Sequence, residues 1–397
     1  MDTRKPHILM IGGWDEALEK AARVEARLTL FQNKDLLTML QSRLAGRVVT
    51  TNFRECGEAL LLAEAIHRVD PFDGVVSFTE FGLETAAAIQ KALGIKGNPP
   101  APVRLTRDKV AMREHLNAAG LDPLAFKRCG SFEEAKSFLA DCAGPIICKP
   151  GHGSGSEGVS IVRTEGDLRS AWLLASKALA QREPVICEEY IDGPEYSVES
   201  LSLGGEHSIV AITEKMTTHD GHFIELGHNI PAPLSEDIKR RVEAFVLSFL
   251  DEIGQECGPC HTEIRIAKSG PRIIESQTRV GGDRIWEMVE LALGVDLITA
   301  TLEYLAFGRI PVPGIAGKKA ASIRFFMNEE NSISRVGGLE KAREMLGVVR
   351  VTYDAGKKDS LGGRSNDSRQ GYVLATGGDV SESASRAALA YQTVSSS

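Results

Sequence analysis

The chain has 397 residues, 43% of them hydrophobic and 25% charged, with 54 acidic residues against 46 basic ones. That balance excludes a disordered or fibrous chain, and a formal charge of −8 gives no support to binding nucleic acid or acidic lipid. No apolar run approaches the ~20 residues needed to cross a bilayer, and the length predicts two to three domains.

His7–Ile11 is a short apolar run ended by Gly12 and Gly13. It reads as a buried first strand rather than a secretory leader, which needs an apolar stretch of about 7–15 residues and a small-residue cleavage site. A helical stretch follows, then Arg47–Thr51 as the second strand, Cys56–Val69 as a helix, Gly74–Phe78 as a strand and Leu83–Leu93 as a helix. Strands alternating with helices predict a parallel sheet covered on both faces. Gly97–Pro102 breaks the periodicity and marks a boundary. Beyond it Thr106 is placed to cap a helix running to Ala119 and stopped by Gly120. Short, mostly antiparallel strands are expected at Pro145–Lys149, Val159–Val162, Val185–Ile191, Tyr196–Leu203 and Ile209–Met216. Ser235 is placed to cap an amphipathic helix with Ile238, Val242, Phe245, Phe249 and Ile253 on one face. Strands return at Ala320–Phe326, Val348–Tyr353 and Gly371–Thr376, before a final helix that Ser381 could cap. Seven scattered cysteines, an odd number, fit a reducing cytoplasm better than a disulfide scaffold.

The stretch from His261 to Asp283 is the most informative. Lys268-Ser269-Gly270 is a short turn between two alternating runs, so a hairpin is expected, and folding it about Ser269 sets Glu263 opposite Glu275. Gln277 falls on the same face as Glu275 by the period of two. Facing carboxylates destabilise a strand pair unless something neutralises them, and Mg²⁺ takes one or two carboxylates together with phosphate oxygens and water. Glu263, Glu275 and Gln277 are thus candidate ligands of a Mg²⁺–nucleotide site. Read alone, the hairpin is equally an exposed face on which Glu263, Arg265 and Arg272 form surface ion pairs. Cys257 and Cys260 form a lone CxxC before His261, a weaker metal or redox candidate that lacks a second ligand pair.

The segment from Lys149 to Gly158 carries four glycines in eight residues after an expected strand. Glycines let successive N–H groups close around an anion. Gly153, Gly155 and Gly158 match GxGxxG, but a strand rather than a helix is expected next, which argues against a dinucleotide fingerprint and a dehydrogenase. A Walker A motif is ruled out, since no Gly-Lys-Ser/Thr occurs. What remains is a glycine-rich loop over phosphates with Lys149 at its base, or a plain surface turn.

In order along the chain stand Lys109, Lys149 with its glycine loop, Glu188-Glu-Tyr-Ile-Asp-Gly-Pro-Glu195, and the Glu263/Glu275 hairpin. This succession resembles the ATP-grasp superfamily of carboxylate–amine ligases over nearly the whole chain. The resemblance implies an α/β fold, α+β in the lid: a Rossmann-like N-terminal domain over 1–103, an ATP-grasp domain over 104–308 with its lid at about 120–187, and a C-terminal part over 309–397 completing a mixed-sheet domain. It implies ATP as the nucleotide, with Mg²⁺ or, in its place, Mn²⁺. Lys109 and Lys149 would contact the phosphates under a loop containing Gly153, Ser154, Gly155, Ser156 and Gly158. Glu188, Glu189, Tyr190 and Ile191 would form the adenine strip, and Glu195 would accept from the ribose. The family's third metal ligand is usually Asn; Gln277 reaches one methylene further, and whether one or two ions are held stays open.

Thr278-Arg279-Val-Gly281-Gly282-Asp283 and Phe223-Ile-Glu-Leu-Gly-His228 are similar to the L-amino-acid ligase group, which includes bacilysin synthetase and dapdiamide synthase. By that similarity Arg279 would hold the transferred phosphate or a substrate carboxylate, and His228 would help place an amino acid beside Gly281 and Gly282. Asp283 could bind a substrate ammonium, as could Glu80 or Glu84 at the carboxyl end of the third expected strand. Glu84 is equally a solvated helix-start carboxylate. The implied activity is ADP-forming ligation of one amino acid to the amine of another through an acyl phosphate, by a cytoplasmic homodimer acting on small molecules, with no nucleic acid and no membrane. The alternatives are a carboxylating or purine-biosynthetic ligase, to which Arg369–Gly377 is also similar, and a non-catalytic nucleotide-binding protein.

Overall fold

Among the described residues the strands fall into three sheets. The computed structural model describes residues 4–151, 155, 157–178, 184–218, 223–309, 319–327, 338–354 and 366–395. The first sheet joins β1 (His7–Ile11), β2 (Arg27–Gln32), β3 (Arg47–Thr50) and β4 (Gly74–Val76) in the order β3-β2-β1-β4, with every pair parallel. Parallel pairing is what the strand–helix alternation predicts, but Arg47–Thr50 is the third strand, not the second. β2 precedes it, and β2 is buried along nearly its whole length, so it lacks the alternation that marks a half-exposed strand.

Cys56–Val69 and Leu83–Leu93 are helices, as expected. The proline-rich break instead opens a helix of its own, Pro100–Arg107, because proline at the first helical position costs no hydrogen bond. Thr106 therefore lies inside that helix, its hydroxyl donating to the Pro102 carbonyl at 2.9 Å. Asp108 caps the next helix, Lys109–Ala119, by accepting from the N–H groups of Val110 and Ala111.

The second sheet contains β5 (Phe126–Cys129), β6 (Ile146–Pro150), β7 (Ser160–Val162) and β8 (Val185–Glu189), antiparallel in the order β5-β8-β6-β7. Helices Phe132–Asp141 and Glu165–Ala178 cover it over a core that includes Cys129, Cys148 and Cys187.

The third sheet has eight strands: β9 (Glu195–Leu203), β10 (Glu206–Thr217), β11 (Glu225–Ile230), β12 (Cys257–Ala267), β13 (Gly270–Gln277), β14 (Ala320–Met327), β15 (Val348–Tyr353) and β16 (Arg369–Gly377). Their order is β13-β12-β9-β10-β11-β14-β16-β15, antiparallel throughout. One face packs against helix Glu236–Ile253, capped by Ser235, through Val242, Val246, Phe249, Leu250 and Ile253. The other carries helices Ile285–Leu293 and Leu297–Phe307 and shares a core with Ile8 and Met10 of the first sheet. Cys257 belongs to the second of these cores and Cys260 to the first, so they lie on opposite sides of β12 and make neither a metal site nor a dithiol. The last helix, Val380–Ser395, is capped by Asp379, which accepts from the Glu382 N–H at 2.8 Å, and not by Ser381. Among the described residues no helix is long and apolar enough to cross a membrane.

Candidate active site

An open cleft of about 760 Å³ lies between the second sheet and the β12–β13 end of the third. Its lining is two-ended. Ile147, Val159, Tyr190, Ile191, Phe223 and Ile274 give an apolar part, while Lys109, Lys149, Glu263 and Glu275 give a charged one. Tyr190 and Phe223 stack with ring centroids 6.3 Å apart, and the Arg265 guanidinium lies 4.6 Å from the Phe223 centroid. Such a cleft suits a ligand with a flat apolar head and an anionic tail.

The charged end rests on a buried network. Lys149 donates to Glu188, and Arg113, fully buried, donates from Nε to the other Glu188 oxygen at 3.1 Å. Arg113 also reaches Asp122 at 3.4 Å and the carbonyls of Ile273 and Ile274 at 2.6 and 3.1 Å. One guanidinium thus ties helix Lys109–Ala119 to β8 and β13. Burial lowers the Lys149 pKa, with Glu188 opposing that shift and Arg113 adding to it. Glu188 stays below its ordinary value despite burial, because both cations favour its ionised form. Its carboxylate is bonded to Lys149 and Arg113 while the residue lines the cleft beside Glu189, Tyr190 and Ile191.

Glu263 pairs with Glu275 across β12 and β13, as expected, but for a different reason. The turn is centred between Lys268 and Ser269, which alone would set Glu263 opposite Ile274. A bulge between Glu263 and Ile264 moves the register by one and restores the facing carboxylates. Lys109 Nζ lies 3.2 Å from Glu275, and Glu263 is 2.8 Å from Lys215 and 3.2 Å from His261. Gln277 Nε2 donates to Glu275 at 2.8 Å, while Gln277 Oε1 is buried with no hydrogen-bond partner among the described residues. Two facing carboxylates and an orphaned amide oxygen fit a hard divalent cation. Burial would depress His261, but the Glu199 charge and hydrogen bonds to Glu199 and Glu263 raise it to about 9.

Lys215 is the centre that sequence reasoning missed. Its ammonium, 1% exposed, lies 2.7 Å from Glu225, 2.8 Å from Glu263 and 3.2 Å from Glu195. Glu195 also accepts from Arg265 at 3.0 Å, which sets it at the edge of the cleft. Beyond Lys215, Glu225, His228 and Asp283 bring one acceptor atom each within 4.8 Å of one another. Arg369 clamps both oxygens of Asp283, at 2.7 and 2.5 Å. Asp283 and Arg284 both have left-handed backbone, with φ of 52° and 65°. Gly281 is needed here: a Cβ would sit 2.8 Å from His261 Nδ1 and 3.0 Å from Glu199 Oε2.

Of the expected residues, Lys109, Lys149, Gly155, Glu188, Glu189, Tyr190, Ile191, Glu195, Glu263 and Glu275 all line the one cleft. Gln277 adjoins it through Glu275, and His228 and Asp283 adjoin it through Glu225 and Lys215. Gly158 has φ 72°, while Gly153, Ser154 and Ser156 lie outside the described residues. Gly282 follows Gly281 with open space at its Cβ position. Arg279 and Glu80 are paired with each other at 2.9 Å. Glu84, largely exposed, stands in the first turn of Leu83–Leu93 and pairs with Arg107 at 3.3 Å.

Comparison with known proteins agrees with this geometry. An ATP-grasp domain family matches residues 142–287, and an L-amino acid ligase C-terminal domain family matches residues 324–396. Alanine–anticapsin ligase of Bacillus amyloliquefaciens is 27% identical over 277 residues, covering 64% of this chain and 58% of that one. The L-arginine-specific L-amino acid ligase of Bacillus subtilis is 28% identical over 304 residues, covering 72% of this chain and 70% of that one. The chain spans only 54–63% of the length of the first curated relatives it matches. A crystal structure of an L-amino acid ligase from Bacillus licheniformis superposes with a TM-score of 0.79 at 23% identity, covering 98% of both chains. Two further structures of this fold, both 17% identical with TM-scores of 0.74 and 0.71, contain ADP, in one case as its magnesium salt. Residues 142–287 thus match an ATP-grasp domain, and residues 324–396 an L-amino acid ligase C-terminal domain that follows it.

Proposed function

We propose that this protein is an ADP-forming ligase that joins the carboxylate of one amino acid to the amine of another. The observation that carries the proposal is the two-ended cleft, whose charged end holds Lys109, Lys149 and the facing pair Glu263 and Glu275. The L-amino acid ligase C-terminal domain and relatives named for amino-acid ligation support it.

A carboxylate is a poor electrophile, so it first attacks the γ-phosphorus of ATP, ADP leaves, and an acyl phosphate remains. An amine then attacks the acyl carbon and phosphate departs. Phosphoryl transfer needs position and charge neutralisation more than covalent help. Tyr190, Ile191 and Phe223 would hold the adenine and Glu195 the ribose. Lys109 and Lys149 would face the phosphates, and Arg279 would grip the transferred phosphate or the donor carboxylate with its planar fork. Glu263, Glu275 and Gln277 would hold Mg²⁺, which when bound supplies charge neutralisation to the phosphate oxygens. Residues 1–103, 104–308 and 309–397 would act as the three parts of this machine. Its seven unpaired cysteines support a reducing, cytoplasmic setting, and a homodimer is the expected assembly.

The test is ATP and Mg²⁺ with a matrix of amino-acid pairs, products identified by mass. ADP, phosphate and a dipeptide mass support the proposal. AMP formation, or turnover that requires bicarbonate, overturns it.

A further inference from the structure

We propose that Glu199 and His261 are positioning residues that fix the Glu263 carboxylate for the divalent cation, an assignment that rests on the ligase reading above. Neither residue is itself a ligand of the ion. They act through Glu263, from behind it in the sheet.

Two rows of side chains cross β9, β12 and β13 on one face of the third sheet. In one row Ser197 of β9 stands opposite Glu263 of β12, and Glu263 opposite Glu275 of β13. The neighbouring row, two residues along, runs Glu199, His261, Gln277. Residues two apart share a face of a strand, and neighbouring strands lie about 4.8 Å apart. His261 therefore reaches Glu199 beside it and Glu263 ahead of it, and it bonds both. Its Nδ1 lies 2.8 Å from Glu199 Oε1, and its Nε2 lies 3.2 Å from Glu263 Oε1. Each partner is a carboxylate oxygen, so both ring nitrogens donate.

Glu199 is the anchor of this arrangement. It is 1% exposed, and among the described residues its ion pair is with His261 alone. Glu199 Oε1 also accepts from Ser197 Oγ at 2.8 Å, which holds the carboxylate from its own strand. The ring cannot turn away from Glu263 without giving up the bond to Glu199, and a buried carboxylate stripped of a partner is costly. The loop after β13 closes over the pair at Gly281, where a Cβ would meet both side chains.

The consequence falls on Glu263. Lys215 Nζ and His261 Nε2 both approach the same oxygen, Oε1, at 2.8 and 3.2 Å. Among the described residues Glu263 Oε2 accepts no hydrogen bond, and Glu263 lines the cleft. The carboxylate is pinned by one oxygen and offers the other. A ligand oriented before the ion arrives binds it more tightly than one that must first be ordered. Glu199 has a second effect of the same sign. A protonated imidazole beside a cation site repels the ion, and the Glu199 carboxylate offsets that charge from the far side of the ring.

The test measures Mn²⁺ binding to the full chain at saturating ADP, from the loss of the free-ion electron paramagnetic resonance signal. ADP binding alone is measured in EDTA by calorimetry. Glu199→Leu is expected to raise the Mn²⁺ Kd about 10–100-fold, with ADP affinity in EDTA changed by less than about threefold. Glu199→Gln loses the charge but keeps an acceptor for Nδ1, so it should recover about threefold or more of that loss. If Glu199→Leu does not fold, the near-isosteric Glu199→Gln carries the test, with Mn²⁺ binding weakened about threefold or more and ADP binding retained. A Mn²⁺ Kd equal to wild type in the variants would overturn the assignment. Equal losses in Glu199→Leu and Glu199→Gln, or a parallel loss of ADP binding, would overturn it too. Wild-type protein that takes up no Mn²⁺ with ADP would instead overturn the metal site of the ligase reading, and the assignment with it.

Discussion

Arg279 donates from Nε to Glu80 at 2.9 Å, joining two residues 199 positions apart. Arg279 follows the β12–β13 hairpin of the third sheet, and Glu80 follows the last strand of the first. Arg107 also reaches Glu80, at 3.7 Å from its carboxylate. Glu80 is thus paired with two arginines, and in the proposed ligase it would aim the Arg279 fork. Arg279→Ala is expected to lower kcat about 100–1,000-fold, the usual cost of losing one donor to a developing negative charge. Glu80→Gln should act more mildly, about tenfold, because the guanidinium stays present but less well aimed. Steady-state ADP release measures both, and equal losses would show that Glu80 acts on substrate directly.

The buried Arg113 is expected to matter first for stability. Removing it leaves Glu188 and Asp122 buried with fewer partners, and breaking a buried pair by deleting one partner costs about 3–5 kcal/mol. Arg113→Met should therefore lower the denaturant midpoint strongly. Arg272→Met, at a partly exposed position on the same Asp122, should cost about 1 kcal/mol or less. Urea unfolding of the two variants side by side checks the ranking.

His261 gives a pH dependence with a definite sign. Its folded pKa is raised from 6.5 to about 9, so its contribution to stability is complete below about pH 6.5 and is lost as pH rises through about 9. The metal-free protein should lose about 1–3 kcal/mol across that window. His261→Asn should flatten the curve between those limits. Thermal unfolding at a series of pH values reads the slope, and a variant that keeps the wild-type slope would assign it to another group.

In the proposed site Gln277 would be a ligand of the divalent cation, which makes a prediction about metal demand. Gln277→Leu removes the orphaned oxygen and should raise the Mg²⁺ concentration needed for half-maximal ADP release about tenfold or more, within the range seen when supporting groups around metals are lost. Glu275→Ala should abolish metal-dependent turnover. Chelation of the wild-type protein should stop turnover reversibly, with recovery on adding Mg²⁺.

Much of the fold and half of the site were legible because they obey local rules. Cys56–Val69 and Leu83–Leu93 show helical period, and Gly254 stops the helix that Ser235 starts. The carboxylate hairpin was legible from its turn, although the bulge beside Glu263 was not. The place of Glu225 beside His228 stayed hidden for a related reason. Glu225 and His228 are three apart and should point to opposite faces of a regular strand. An irregularity in the β10–β11 register pairs Lys215 with His228 and Thr217 with Glu225, and this returns Glu225 to the face of His228. Lys215 itself reads as an ordinary exposed lysine, since its three carboxylate partners come from three other strands. Arg113 was not singled out by any local pattern, and only its bonds to β8 and β13 show its buried role. Bulges and long-range ion pairs are set by tertiary packing, which a local period does not carry.

The most direct measurement follows oxygen. A carboxyl-donor amino acid labelled with ¹⁸O in its carboxylate is turned over with ATP, Mg²⁺ and a second amino acid, and the phosphate is weighed. Attack of that carboxylate on the γ-phosphorus requires one ¹⁸O per phosphate released, with ADP and dipeptide formed in equal amounts. Unlabelled phosphate, or label found in AMP, would mean that no acyl phosphate forms and that this cleft does other chemistry.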